Sequence, residues 1–172
     1  QVNSLTLFKN MGLYDFSPLA GRHYPLIASP VMTTSSAQAF AADEDFGLSV
    51  DPLTTLDVSA YSVRFATMTW WYLQKDITLD SVRFLAMADG SATLNFHIFS
   101  YIIDIDTNHG DLSGGTVHAN ATVSATSSTI KTGTFTLDAG DIDANRVVIG
   151  FAENATDTSD LSVSFDIMYH IR

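Results

Sequence analysis

The chain has 172 residues, 46% of them hydrophobic, enough for one substantial core, and carries a formal charge of −11 from 19 acidic and 8 basic residues. That balance argues against a phosphate-binding basic patch, so no nucleic acid is expected as a partner, and no anionic membrane surface either. With no cysteines, disulfide and thiolate–metal chemistry are excluded.

The acids are lopsided: seventeen Asp against two Glu, with Lys and Gln at three each. Asp favours turns, whereas Glu, Lys and Gln favour helix interiors, so the composition describes many strands joined by Asp-rich turns. No apolar run approaches the ~20 residues of a membrane span. The first residues, Gln1-Val2-Asn3-Ser4, show no Lys/Arg cluster followed by an apolar core, so no signal peptide is expected. Asn120-Ala-Thr and Asn154-Ala-Thr fit the glycosylation pattern, which matters only in a secretory host.

In chain order, Val2, Leu5 and Leu7 suggest a short opening strand. Pro18, Gly21, Pro25 and Pro30 then punctuate a stretch carrying Tyr14, Phe16, Tyr24 and Ile27. Proline at that density opposes a central strand or long helix, and the aromatic content opposes simple disorder. Residues 1–58 therefore read as an extended, Pro-punctuated arm that packs its side chains onto a neighbouring surface. A short helix from Ser35 would have Gln38 as its capping-box partner and Ala37, Phe40 and Ala41 on one face.

Residues 59–172 read as a β-sandwich domain. Val63, Phe65, Thr67, Thr69, Trp71 and Leu73 share one face of a strand; Arg64, Ala66, Met68, Trp70 and Tyr72 share the other, and both are bulky. Ile77, Leu79, Val82, Phe84 and Leu85 follow, closed by the Asp89-Gly90 turn signal. Leu94, Phe96 and Ile98 begin a strand whose phase flips to Tyr101, Ile103 and Ile105, which suggests a bulge near Ser100. Beyond the loop 106–111, Val117, Ala119, Ala121, Val123 and Ala125 form a weak strand, continued by Ile130, Phe135 and Leu137. After an Asp-rich turn, Val147, Ile149 and Phe151 form another. The chain closes on a clean alternation of Leu161, Val163, Phe165, Ile167, Tyr169 and Ile171 against mostly polar neighbours. Eight or nine strands at this spacing describe an all-β, antiparallel sandwich with a jelly-roll-like order.

Candidate chemistry is sparse. Asp104-x-Asp106-x-Asn108-x-Gly110 offers alternating oxygens of the kind Ca²⁺ requires, but His109 stands at the sixth position and no Glu at the twelfth. Asp138, Asp141, Asp143 and Asn145 are similar in flavour, and both runs also read as plain turns. Five histidines, His23, His97, His109, His118 and His170, raise a cupin-like metal site, yet no His-x-His with a nearby Glu occurs. They read instead as satisfied or surface residues. Neither a Gly-x-Ser-x-Gly elbow nor a His-Glu-x-x-His helix is present, so no catalytic residue and no cofactor is assigned. In Trp70-Trp71-Tyr72 the two indoles must point to opposite faces. One belongs in the core; the other, with Tyr72, is a candidate interface.

The phrases Lys75-Asp-Ile-Thr-Leu-Asp-Ser-Val-Arg-Phe84, Leu137-Asp-Ala-Gly-Asp-Ile-Asp-Ala-Asn-Arg-Val-Val-Ile149 and Thr158-Ser-Asp-Leu-Ser-Val-Ser-Phe165 resemble β-sandwich domains of tailed-bacteriophage virion proteins. The likeness covers about residues 70–172 and is one of cadence, with no ligand or catalytic motif to carry over. It implies a non-enzymatic subunit on the particle surface: a head decoration, tail appendage or fibre domain. It implies as partners further copies of the chain, in a homotrimer, and capsid or tail proteins. Tyr14, Phe16, Tyr24, Ile27, Trp70 and Tyr72 are the interface residues expected on that view. The alternative is a receptor- or glycan-binding fibre module that stacks a host-surface sugar on Trp70. A small β-fold hydrolase is a third, and needs two carboxylates converging in a cleft.

Overall fold

Residues of alternating polarity become the two sides of two sheets. The computed structural model describes residues 5–16, 18–28, 69–104, 111–127, 129–156 and 158–172, the side chains of 14–16, 104 and 111 excepted. These residues form eleven strands: β1 (Leu7–Phe16), β2 (His23–Pro25), β3 (Trp71–Tyr72), β4 (Ile77–Ala88), β5 (Ala92–Asp104), β6 (Asp111–Ala125), β7 (Lys131–Thr134), β8 (Thr136–Leu137), β9 (Asp141–Ile142), β10 (Arg146–Asn154) and β11 (Leu161–Ile171). Among the described residues there is no helix, hence none long and apolar enough to cross a membrane.

The first sheet runs β1-β11-β4-β7 with β9 also on β4; the second runs β2-β10-β5-β6-β8 with β3 also on β10. Every pairing is antiparallel. Setting aside the two-residue strands β3, β8 and β9, the eight others in chain order give sheets 1-8-3-6 and 2-7-4-5. That wrapped order, in which the chain crosses between sheets at most connections, is a jelly roll.

At both edges of the sandwich a segment passes from one sheet to the other and pairs with part of the edge strand, which shortens the free edge. On one side β7 pairs with β4 and β8 with β6, with Phe135 as the one-residue link. Its amide donates to the Val82 carbonyl at 2.9 Å while its ring enters the core. On the other side Leu26 donates to the Gly150 carbonyl at 2.8 Å, and Ile27 exchanges two bonds of 2.8 and 3.0 Å with Gly12 of β1. Residues 23–27 thus fasten the edge of the second sheet to the edge of the first.

Several expectations change in detail. Residues 7–16 and 23–25, read as part of an arm beyond the sandwich, are strands within it, because β1 pairs along β11 and β2 along β10. Asp89-Gly90 is no hairpin turn: it carries the chain from β4 in one sheet to β5 in the other. Bulges do lie beside Ser100, on the β6 side at His118 and around Gly114-Gly115. The phase of β5 does not flip, however, since its register with β10 runs unbroken from Leu94 to Ile102. Of the strand expected over Val63–Leu73, only Trp71–Tyr72 is a described strand; residues 63–68, and the helix expected from Ser35, lie outside the described residues.

The main core lies between the sheets. Phe84, Phe96, Phe135 and Phe165 contribute rings whose centroids lie 4.9–6.4 Å apart, mostly tilted or edge-on. At Gly150 the two sheets pack closely: a Cβ there would stand 3.0 Å from Met11 Sδ and 3.1 Å from the Phe165 ring. A second cluster, Phe99, Tyr101, Leu112, Val147, Ile149 and Phe151, is equally buried and lies on the opposite face of the second sheet.

Candidate functional site

The outer face of the first sheet is ordered in rows by register. Phe8 stands opposite Met168, Asn10 opposite Asp166 opposite Arg83, Gly12 opposite Ser164 opposite Leu85, and Ser162 opposite Met87. The polar row is tied by a hydrogen bond from Asn10 Nδ2 to Asp166 Oδ1. Over Gly12, Ser162 and Ser164 the small side chains leave a groove of about 480 Å³, walled by Ile27 on one flank and Leu85, Met87 and Ile130 on the other. Ile130 is 66% exposed and Phe8, beyond the polar row, 69%. One face therefore carries both an apolar trough and an apolar knob.

Of the residues expected at an interface whose side chains are described, Ile27 alone, half-buried, lines the trough. Tyr24 is 4% exposed, its hydroxyl accepting the Leu19 amide at 2.9 Å, so its ring is used inside the chain and not on a neighbour. Tyr14 and Phe16 lie on the backbone of β1, and their side chains are outside those described. Trp70 is half-buried and packs on the second cluster with its indole nitrogen buried. Trp71 joins the main core edge-on to Tyr169 at 5.0 Å. Tyr72 is 46% exposed and donates its hydroxyl to Asn145 Oδ1 at 2.9 Å. Of the suggested calcium loop, only the backbone of Asp104 is described; Asp106 and Asn108 lie outside the described residues. Asp141 and Asp143 do not converge on a cavity: Arg172 binds them at 3.2 and 2.8 Å.

The second sheet brings together residues far apart in sequence. On its outer face His23 (β2) and Asn95 (β5) both stand in register with Glu153 (β10), and His97 (β5) lies opposite Phe151. His23 Nε2 is 3.5 Å from Glu153 Oε2, and the rings of His23 and His97 are 5.3 Å apart. One ligand atom from each of His23, His97 and Glu153 falls within 4.8 Å of the other two. Asn95 Nδ2 donates to Glu153 Oε2 at 2.7 Å and is itself held by the Thr122 hydroxyl at 2.9 Å. His23 and His97 stand among the five histidines weighed above, but no local pattern joins them to Glu153, because the three come singly from three strands and not in a His-x-His motif. The strand order that assembles them is visible only in the folded chain.

A second polar group caps one end of the core. The bulged His118 donates through Nδ1 to the Ala139 carbonyl at 2.7 Å, which leaves Nε2 to accept the Ser100 hydroxyl, also at 2.7 Å. Arg146 Nε donates to Ser100 Oγ at 2.7 Å, and its Nη2 reaches the Gly114 carbonyl at 2.7 Å. A serine on a histidine is how hydrolases prepare a nucleophile. Here Ser100 and His118 are buried, and the Arg146 N–H takes one of the two Ser100 lone pairs, so the three side chains tie the bulge to β5 and β10. Burial lowers the His118 pKa; the Ala139 hydrogen bond raises it, and the charge of Arg146 lowers it.

No family model matches the chain, and no curated protein matches it. Among solved structures it is similar to the Clostridium thermocellum xylanase 10B CBM22-1-GH10 modules, at 12% identity and TM-score 0.33, over 59% of this chain and 17% of that one. It is similar to infectious bursal disease virus, Gx strain, at 8% identity and TM-score 0.36, over 98% of this chain and 52% of that one. The turnip yellow mosaic virus structure matches at 8% identity and TM-score 0.27, over 99% and 83%. The chain thus spans about half or less of the first two structures. At these scores the jelly-roll assignment rests on the strand order above and not on the overlays.

Proposed function

We propose that the chain is a non-enzymatic structural subunit of a bacteriophage particle, a head decoration or tail appendage that binds further copies of itself through the outer face of its first sheet. The phrasing of residues 75–84, 137–149 and 158–165 supports the phage setting. The observation that carries the assembly is the pairing of a trough over Gly12, Ser162 and Ser164 with an exposed Phe8 on the same face. Self-association requires both halves of the contact on one chain; two such faces can meet reciprocally in a two-fold dimer or, where the rotation closes, successively in a ring, and the trimer is the form that the resemblance to phage virion proteins favours. Apolar side chains at this exposure on an otherwise acidic protein fit a permanent contact.

Sedimentation of the purified chain tests this. A trimer is expected for the wild type, and a monomer of unchanged β circular dichroism for the triple variant Leu85→Ser, Met87→Ser, Ile130→Ser. A wild type that stays monomeric at about 100 μM, a concentration far above that of tight assembly, overturns the assembly. Immunogold labelling of intact particles tests the location.

The runner-up is a glycan-binding module. It shifts from Trp70 to a cleft of about 230 Å³ lined by Trp71, Tyr72, Lys75, Tyr169 and Ile171, where an exposed ring and a cation adjoin. Sugar binding on an array that is lost with Tyr72→Ala and kept with Trp70→Ala would favour it over scaffolding alone.

A further inference from the structure

We infer that His23, His97 and Glu153 form a binding site for one first-row divalent cation of the zinc type, which staples the short strand β2 to β5 and β10. Two imidazoles and one carboxylate are a donor set that suits zinc, cobalt, nickel or ferrous iron, and not calcium or magnesium. Tetrahedral bonds of about 2.0–2.2 Å place neighbouring ligand atoms roughly 3.3 Å apart. The His23–Glu153 separation of 3.5 Å already meets that, and the 4.8 Å limit on the remaining pairs leaves a closure reachable by side-chain rotation.

The surrounding bonds orient the donors. Asp138 can only accept, so Asn120 turns its Nδ2 to Asp138 Oδ2 at 2.5 Å and its Oδ1 to His97. His97 Nδ1 must then donate to Asn120 Oδ1, at 2.6 Å, which leaves the Nε2 lone pair for a ligand. A carboxylate–amide–imidazole chain of this type fixes tautomer and ring direction at metal sites. Asn95 does the same for Glu153. The side chains of His23 and Glu153 are 7% and 13% exposed, so the cation would sit largely away from water. Three protein ligands leave a fourth position for water.

The consequence is mechanical. β2 has three residues and is held by three register pairs to β10. In a chain with no cysteines, a cation spanning three strands would provide the cross-link that disulfides supply elsewhere.

The test uses the full chain, stripped with a chelator, and cobalt or zinc as the probe. One cobalt per chain is expected, with a ligand-field absorption band that zinc abolishes. A zinc excess of a hundredfold over Kd is expected to raise the thermal midpoint by about 5–10 °C. His97→Gln and Glu153→Gln should each weaken binding by at least about a hundredfold, and Asn120→Ala by about 10–100-fold. Glu153→Gln retains the oxygen that accepts from Asn95, which preserves the fold. His170→Gln, at the separate His170–Asp80 pair, should bind as the wild type does. A wild type with no saturable cobalt band and no zinc-dependent midpoint overturns the inference, as does binding retained in both ligand variants.

Discussion

β10 and β11 are near neighbours in sequence, yet they were built for opposite surroundings. β11 alternates buried and half-buried residues from Leu161 to Met168, because one face meets the core and the other meets solvent. β10 is buried on both faces from Val147 to Ala152: Val148 and Ala152 belong to the main core, while Val147, Ile149 and Phe151 belong to the second cluster. The outer faces of the two sheets differ accordingly. The first is an open surface of Phe8, Asn10, Asp166, Leu85 and Met87; the second is a closed one, with polar groups gathered at its margin. A strand that reads as a continuous apolar run is covered on both sides, whereas an alternating one is covered on one.

The largest test of that contrast is Phe151→Ala. Its ring is fully buried, edge-on to Phe99 at 5.8 Å. Removing it should cost about 3–5 kcal/mol, as a core truncation does, measured by urea denaturation. If the loss is below about 1 kcal/mol, the range of ordinary surface and minor substitutions, the second cluster is not a true core.

The contrast explains what was legible beforehand. The alternation of Leu161 to Ile167 and of Leu94, Phe96 and Ile98 maps directly onto buried positions. The apparent flip at Tyr101 and Ile103 was a change of face within one unbroken strand, because period-two reasoning assumes a single apolar side. Pro18 and Pro25 suggested an arm, yet Pro25 sits in an edge strand, where a missing N–H is tolerated. The histidines His23 and His97 could be raised as metal ligands, but their grouping with Glu153 could not, since it depends on β2, β5 and β10 becoming neighbours, and register between distant strands is not written in local pattern.

The next effect in size concerns the His118 bulge in β6 of the second sheet. His118→Gln should cost about 1–3 kcal/mol, the penalty for leaving buried partners unsatisfied. Its pH signature is specific. The folded-state pKa is lowered, so the folded group stays neutral while the unfolded one takes a proton below its ordinary value of about 6.5. Stability from this residue is complete above that value and is lost as pH falls towards the lowered folded pKa. The urea midpoint of the wild type should therefore drop between pH 7 and 5 more steeply than that of His118→Gln. Equal slopes would show that His118 is charged or solvated in the fold.

The smallest effect belongs to the open face. Leu85 points away from the core, with Ser164 on one side and Thr132 on the other, and is exposed. Little apolar area leaves water when it folds, so Leu85→Ser should move monomer stability by no more than about 0.5 kcal/mol. In an alternating strand the residue contributes to folding only through its β propensity and its cross-strand neighbours. Under the proposed assembly, Leu85 would serve with Met87 and Ile130, around the trough that all three line, in holding a second copy and not in folding the first. The decisive measurement is the pair of numbers together: an unfolding midpoint that stays put and an association constant that falls. A large loss of monomer stability would mean that this face is covered within the chain, and the asymmetry between the two sheets would disappear.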